Sequence, residues 1–166
     1  MLRKTVIALA FALAGFNGAP AIAGALQITD ADPVAVVTVP DAWTTAKIKR
    51  GVEIRTPDEE IYLWFELVAP DQLDTLQKEH NTYFEKEGVT ITDASDTVKQ
   101  EVKGKAWSFT ELKAKSKDGE SLIRYIAINP NVASGKIIMM TYWASLEGHK
   151  THDAAMSAII DSIAYK

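Results

Sequence analysis

The sequence predicts an α+β domain: a mainly antiparallel sheet of about six to seven strands with two principal helices packed on it. Three observations carry this. Apolar runs with a period of two, or with no polar break at all, recur along the chain. Two segments switch to the helical period. After Val98 the strand-like runs are separated by short turn signals, which suit antiparallel neighbours rather than crossovers.

Taken in order, the chain opens with the three-part pattern of a secretory signal. Arg3 and Lys4 are positive, Thr5 to Gly15 is apolar and uncharged, and Ala21-Ile22-Ala23 offers small residues for a signal peptidase. The apolar run is shorter than the ~20 residues that span a bilayer, and no cysteine follows it for lipoprotein processing. Residues 1–23 are therefore expected to be cleaved, leaving a single domain over 24–166, periplasmic or secreted, with no membrane anchor after cleavage.

Val34 to Val39 is β-branched and ends at Pro40, a strand followed by a turn into Trp43. Val52 to Thr56 alternates and stops at Pro57. Ile61 to Val68 (IYLWFELV) is nearly continuous, as expected of a central strand covered on both faces. Leu73, Leu76, His80, Tyr83 and Phe84 then fall on one helical face, with Asp71 as the expected cap and Gly88 past the end. Leu76 and Phe84 should pack on the sheet.

Val98 to Val102 and Ala106 to Lys115 return to a period of two and flank Lys103-Gly104-Lys105, which is either a tight turn or a kink. Lys117-Asp118-Gly119-Glu120 reads as a hairpin with a type I′ turn. Ser121 to Asn129 is the return strand, and Lys136 to Ala144 the last. Met156, Ile159, Ile160 and Ile163 mark the second helix, with Thr151 as its cap.

Bulk composition narrows the partners. Removal of residues 1–23 takes away Arg3 and Lys4 and no acid, moving the formal charge from −4 to −6. Nucleic acid and anionic membrane surfaces are poor partners for that balance. With no cysteine, disulfides and thiolate chemistry are excluded.

A strand ending in Val39-Pro40-Asp41-Ala42-Trp43, the long strand Ile61 to Val68, the helix after it and the meander from Val98 to Ala144 form a recognisable order. It closes with Trp143, a histidine-containing turn and a helix ending Ile159-Ile160-Asp161-Ser162-Ile163. This order resembles the PsbP-like fold, shared by the extrinsic photosystem PsbP proteins and the Ran-binding Mog proteins. The resemblance covers about residues 32–165. It implies an accessory or partner-binding protein more than an enzyme, and it carries over no catalytic residue.

Candidate chemistry is sparse. Glu147, His149, His152 and Asp153 form the one histidine cluster; if the helix begins by His149, His149 and His152 share a face and could share a metal with Asp153. The competing reading is a polar helix entry. His80, on an apolar face, reads as a hydrogen-bonded core histidine. Asp93-Ala94-Ser95-Asp96 fails as a calcium loop, since Val98 stands where glycine is needed, and reads as a solvated turn. Glu59 and Glu60 are adjacent and would point to opposite faces of a strand.

Lys99, Lys103, Lys105, Trp107, Phe109, Lys113, Lys115 and Lys117 share parity, although a turn at Gly104 would split them. Lys105, Trp107, Phe109 and Lys113 would then make a ligand-binding face with an apolar centre and basic ends. The competing reading is a lysine-studded strand edge with the aromatics under a helix. The function that follows is an exported, non-enzymatic binding or accessory domain, without a cofactor, whose partner is a protein or a small amphipathic ligand. The alternative is a metal-dependent hydrolase or metal-binding protein using His149, His152 and Asp153, completed by His80 or Glu147.

Overall fold

The apolar run at the centre of the sequence organises the molecule. In the computed structural model, residues 22–28, 35–102, 105–129 and 135–165 are described. Ile61–Val68 is strand β5, after β1 (Ile22–Gln27), β2 (Ala35–Pro40), β3 (Thr44–Ile48) and β4 (Gly51–Arg55). Helix α1 (Leu73–Lys86) follows, then β6 (Thr90–Ala94), β7 (Val98–Val102), β8 (Lys105–Ser116), β9 (Gly119–Asn129) and β10 (Ile137–Ser145). The chain closes with α2 (Leu146–Thr151), α3 (Asp153–Ser162) and the two-residue β11 (Ala164–Tyr165). The fold is α+β, as the sequence predicts.

An eight-stranded sheet runs β3-β4-β5-β10-β9-β8-β6, with β7 also on β8, and a small sheet runs β1-β2-β11. All of their pairs are antiparallel. Alternation along β5 sends Ile61, Leu63, Phe65 and Leu67 into one core and Trp64 into another. The first core is closed by the small sheet (Val37, Val39) and by Met156, Ile159 and Ile163. The second lies under α1, around Phe84 and Val89. Only Leu76 and Phe84 of α1 are buried, while His80 and Tyr83 are half-buried.

Several local expectations change. Asp71 does not cap α1, because Pro70–Gln72 forms a 3-10 turn ahead of it and the Gln72 side chain accepts from the Ala69 N–H at 3.4 Å. The β8–β9 turn is not type I′: neither Lys117 nor Asp118 has positive φ, and Gly119, at φ 124°, takes the left-handed role instead. Val102 pairs with Lys105 in an antiparallel ladder, so the chain reverses there rather than kinking. The expected final helix is two. Ser145 caps α2 by accepting from Gly148 N at 2.8 Å, Thr151 is the last residue of α2, and His152 (φ −103°, ψ 10°) separates α2 from α3. Glu59 and Glu60 lie in a turn, not a strand, with Glu59 at φ 58°. Asp93 and Ala94 belong to the exposed strand β6 rather than to a turn.

Candidate functional site

Glu66 is the one acid in the β5 run and is 3% exposed. A carboxylate there must be paired, because removing it from water unpaired costs several kcal/mol. Arg50, just before β4, donates from Nε to Glu66 Oε1 at 3.1 Å and also pairs with Glu79 on α1. His80 Nε2 lies 2.7 Å from Glu66 Oε2, and its Nδ1 lies 3.2 Å from the buried Thr141 hydroxyl. The Nε2–Oε2 approach lacks hydrogen-bond geometry and leaves Oε2 without a hydrogen-bond partner, so the tautomer decides which of Nδ1 and the Thr141 hydroxyl donates. The His80 ring stacks on Tyr125 (5.9 Å, 11°). This cluster ties the middle of α1 to β5, β9 and β10.

The N-terminal end of α1 is held differently. On the α1 face of β8, the period of two that places Leu112 and Ala114 in the core places Thr110 and Ser108 farther along the strand. These small hydroxyl side chains, with Tyr125 and Ala127 of β9 and Met139 of β10, do not fill the space under Leu73 and Leu76. A cavity of about 260 Å³ remains. Thr97 and Thr110 bond each other at 2.8 Å. Tyr125, 8% exposed, lines the cavity, and its buried hydroxyl has no hydrogen-bond partner. Burial, reinforced by the Glu66 carboxylate, pushes its pKa up, so it keeps its proton and is a donor.

A second cleft, between the β5 entry and the β8–β9 turn, is lined by Glu59, Glu60, Asp118 and Glu120 with Tyr62 and Trp143. Its inner polar groups are already engaged. Trp143 Nε1 donates to Ser121 Oγ at 3.2 Å, and Ser145 bonds Glu60. The α1 cavity is therefore the stronger candidate site. Sequence reasoning missed it because its walls come from four separate elements.

The residues singled out in the sequence fall elsewhere. Trp107, 7% exposed, is part of the core under the small sheet, and Phe109 packs against that core. Trp107 is thus not the centre of an exposed ligand face. Lys113 projects into solvent and pairs with Asp93 at 3.1 Å. The side chain of Lys105, and Lys103, lie outside the described residues. Nor is β8 an edge, since β9 flanks one side and β6 and β7 the other.

His149 and His152 do not converge. His149 Nδ1 lies 2.9 Å from the Tyr142 hydroxyl, whereas His152 Nε2 meets Asp58 at 2.8 Å and its ring edges against Trp43. Asp153 opens α3, exposed, and Glu147 is exposed in the first turn of α2. Among the described residues no group of three or more His, Cys, Asp or Glu is placed to hold a metal ion. His80, by contrast, is a hydrogen-bonded histidine between helix and sheet, as read from the sequence.

The Asp58–His152 contact gives a pH-dependent prediction. The Thr56 hydroxyl first, and then His152 and the Glu60 N–H, hold the Asp58 carboxyl at a pKa of about 2. A depressed acid stabilises the fold above its unfolded pKa of ~3.9, and that stability disappears as pH falls toward the folded value. Because Asp58 is half exposed, the contribution is about 1 kcal/mol or less. Asp58→Asn should lower denaturant stability at pH 6, with the gap from wild type narrowing between about pH 4 and pH 2. A gap that stays constant over that window would refute the assignment.

Compared with known proteins, the chain matches no protein-family model and no curated protein by sequence. Its structure is similar to the solution structure of cyanobacterial PsbP (CyanoP) from Synechocystis sp. PCC 6803. The superposition has a TM-score of 0.57 at 12% identity and covers 94% of this chain and 99% of that one. The fold is PsbP-like. Among the described residues no helix is long and apolar enough to cross a membrane.

Proposed function

We propose that this chain is an exported, non-enzymatic binding domain that takes a small amphipathic ligand between the N-terminal end of α1 and strands β8, β9 and β10. The observation that carries the reading is the cavity of about 260 Å³ between α1 and the sheet, lined by hydroxyl groups and apolar side chains together. The non-enzymatic half of the reading is supported by the histidines, each of which is engaged by a different partner.

Export through residues 1–23 is part of the same proposal. Residues 1–21 lie outside the described residues, and the cleavage motif ends at Ala23, inside β1. The β1–β2 register is compatible with cleavage. Ala25↔Thr38, Leu26↔Val37 and Gln27↔Val36 lie beyond an irregularity, and only the Ile22↔Pro40 pair would be lost. N-terminal sequencing of the exported protein should return a chain beginning at Gly24. Retention of Met1 to Ala23 in a membrane fraction would overturn this part.

The ligand site is tested by following backbone amide resonances while toluene, acetophenone, benzoate and benzylamine are added in turn. Shifts should cluster at Leu73–Gln77, Ser108–Thr110, Ala127 and Met139. They should disappear in Ala127→Trp, which fills the cavity; circular dichroism establishes that this variant is folded. Absence of shifts at these positions with every probe would overturn the reading.

A further inference from the structure

We infer that one internal water molecule is held between the Tyr125 hydroxyl and Glu66 Oε2, beside His80, and that it completes the polar anchor of α1. The two residues stand on either side of β10. In the register Thr141 lies between Tyr125 and Trp64, and Met139 between Ala127 and Glu66. Tyr125 and Glu66 are therefore diagonal to each other across that strand, on the face that α1 covers. His80 reaches both from α1: its ring stacks on Tyr125 at 5.9 Å, and its Nε2 lies 2.7 Å from Glu66 Oε2.

Both atoms are buried, and neither finds a hydrogen-bond partner in the protein. The groups around them are satisfied, since Glu66 Oε1 accepts from Arg50 and His80 Nδ1 bonds the Thr141 hydroxyl. Native interiors leave few polar groups unpaired, and ordered water supplies the bonds that protein groups do not. Two orphaned atoms around one histidine call for a single guest rather than two.

The atoms are also of opposite type. Burial first, and then the Glu66 charge, keep the proton on Tyr125, so its hydroxyl offers a hydrogen. An ionised carboxylate oxygen only accepts. Such a pair would bond directly if the atoms met, and they do not, so whatever joins them must accept from one and donate to the other. Water does both. A chloride ion only accepts and an ammonium ion only donates, so neither serves both atoms. Arg50 supports one oxygen of the buried carboxylate and the water supports the other, which makes Tyr125 a positioning residue for Glu66.

A high-resolution crystal structure of the protein tests the inference. A solvent peak should lie within hydrogen-bond distance, about 2.7–3.2 Å, of both the Tyr125 hydroxyl and Glu66 Oε2. No peak there, or a direct bond between the two side chains, would overturn it. Tyr125→Phe should lose the peak and lower the folding equilibrium constant about fivefold in denaturant melts, the worth of one net hydrogen bond. A variant as stable as wild type would overturn the anchoring role. The wild-type peak decides the water site even where the variant does not fold.

Discussion

Phe84→Ala should destabilise the protein by about 3–5 kcal/mol, the range for truncating a buried aromatic. Phe84 is 1% exposed and sits edge-on to Trp64 (6.1 Å, 75°), Trp143 (5.5 Å, 79°) and Tyr83 (5.8 Å, 71°). Rings meeting at those angles add to the area they bury. No neighbour can collapse into the gap without breaking that arrangement, because Trp64 is also held by its indole N–H, which donates to Glu53 at 3.0 Å. The effect is large for a second reason. In a 14-residue helix with two buried side chains, losing one leaves Leu76 and the His80–Glu66 contact to hold α1. Denaturant unfolding measures the cost, and the near-ultraviolet dichroism of the tryptophans should change with it. A loss under about 1 kcal/mol, the scale of a surface substitution, would show that α1 is anchored elsewhere.

The same helix separates what the sequence reveals from what it conceals. The stripe that contains Leu76, His80 and Phe84 is legible because helical periodicity reports burial directly. The run IYLWFELV is legible because both of its faces are covered. Its single acid, Glu66, was also a visible signal, since a carboxylate in such a strand must have partners. Those partners, Arg50 and His80, come from either side of β5 in the sequence, and no spacing rule connects them.

Strands β3 and β6 escaped for the opposite reason. They lie at the two ends of the large sheet, and nearly all of their residues are exposed, so no alternation of apolar and polar side chains marks them. The lysines of β8 misled because parity identifies a shared face without saying what covers it; here the small sheet takes the end of that face where Trp107 lies. The cavity was not legible at all. It exists because Ser108, Thr110 and Ala127 are too small to meet α1, a three-dimensional mismatch that no local pattern encodes.

A second large effect is expected at the start of β4. Gly51→Ala should cost about 3–5 kcal/mol, at the upper end for single substitutions. A Cβ on residue 51 would lie 1.8 Å from the Phe65 carbonyl oxygen and 2.9 Å from its carbon. Both obstacles are backbone, so no rotamer change relieves them, and β4 must separate from β5. That separation acts on a tightly coupled region. Gly51 pairs with Glu66, Leu67 N donates to Arg50 O at 3.0 Å, and the Arg50 side chain bonds Glu66. Moving residue 51 therefore weakens the ladder and draws Arg50 away from a buried carboxylate, whose loss of a partner is costly in itself. Gly88→Ala supplies the contrast. Its φ of 72° strains a side chain, but a Cβ there meets nothing within 4 Å, so a cost of about 1 kcal/mol is expected. Paired denaturant melts of the two variants decide the matter. If Gly51→Ala is no worse than Gly88→Ala, the close approach of β4 to β5 does not hold the Arg50–Glu66 pair in place.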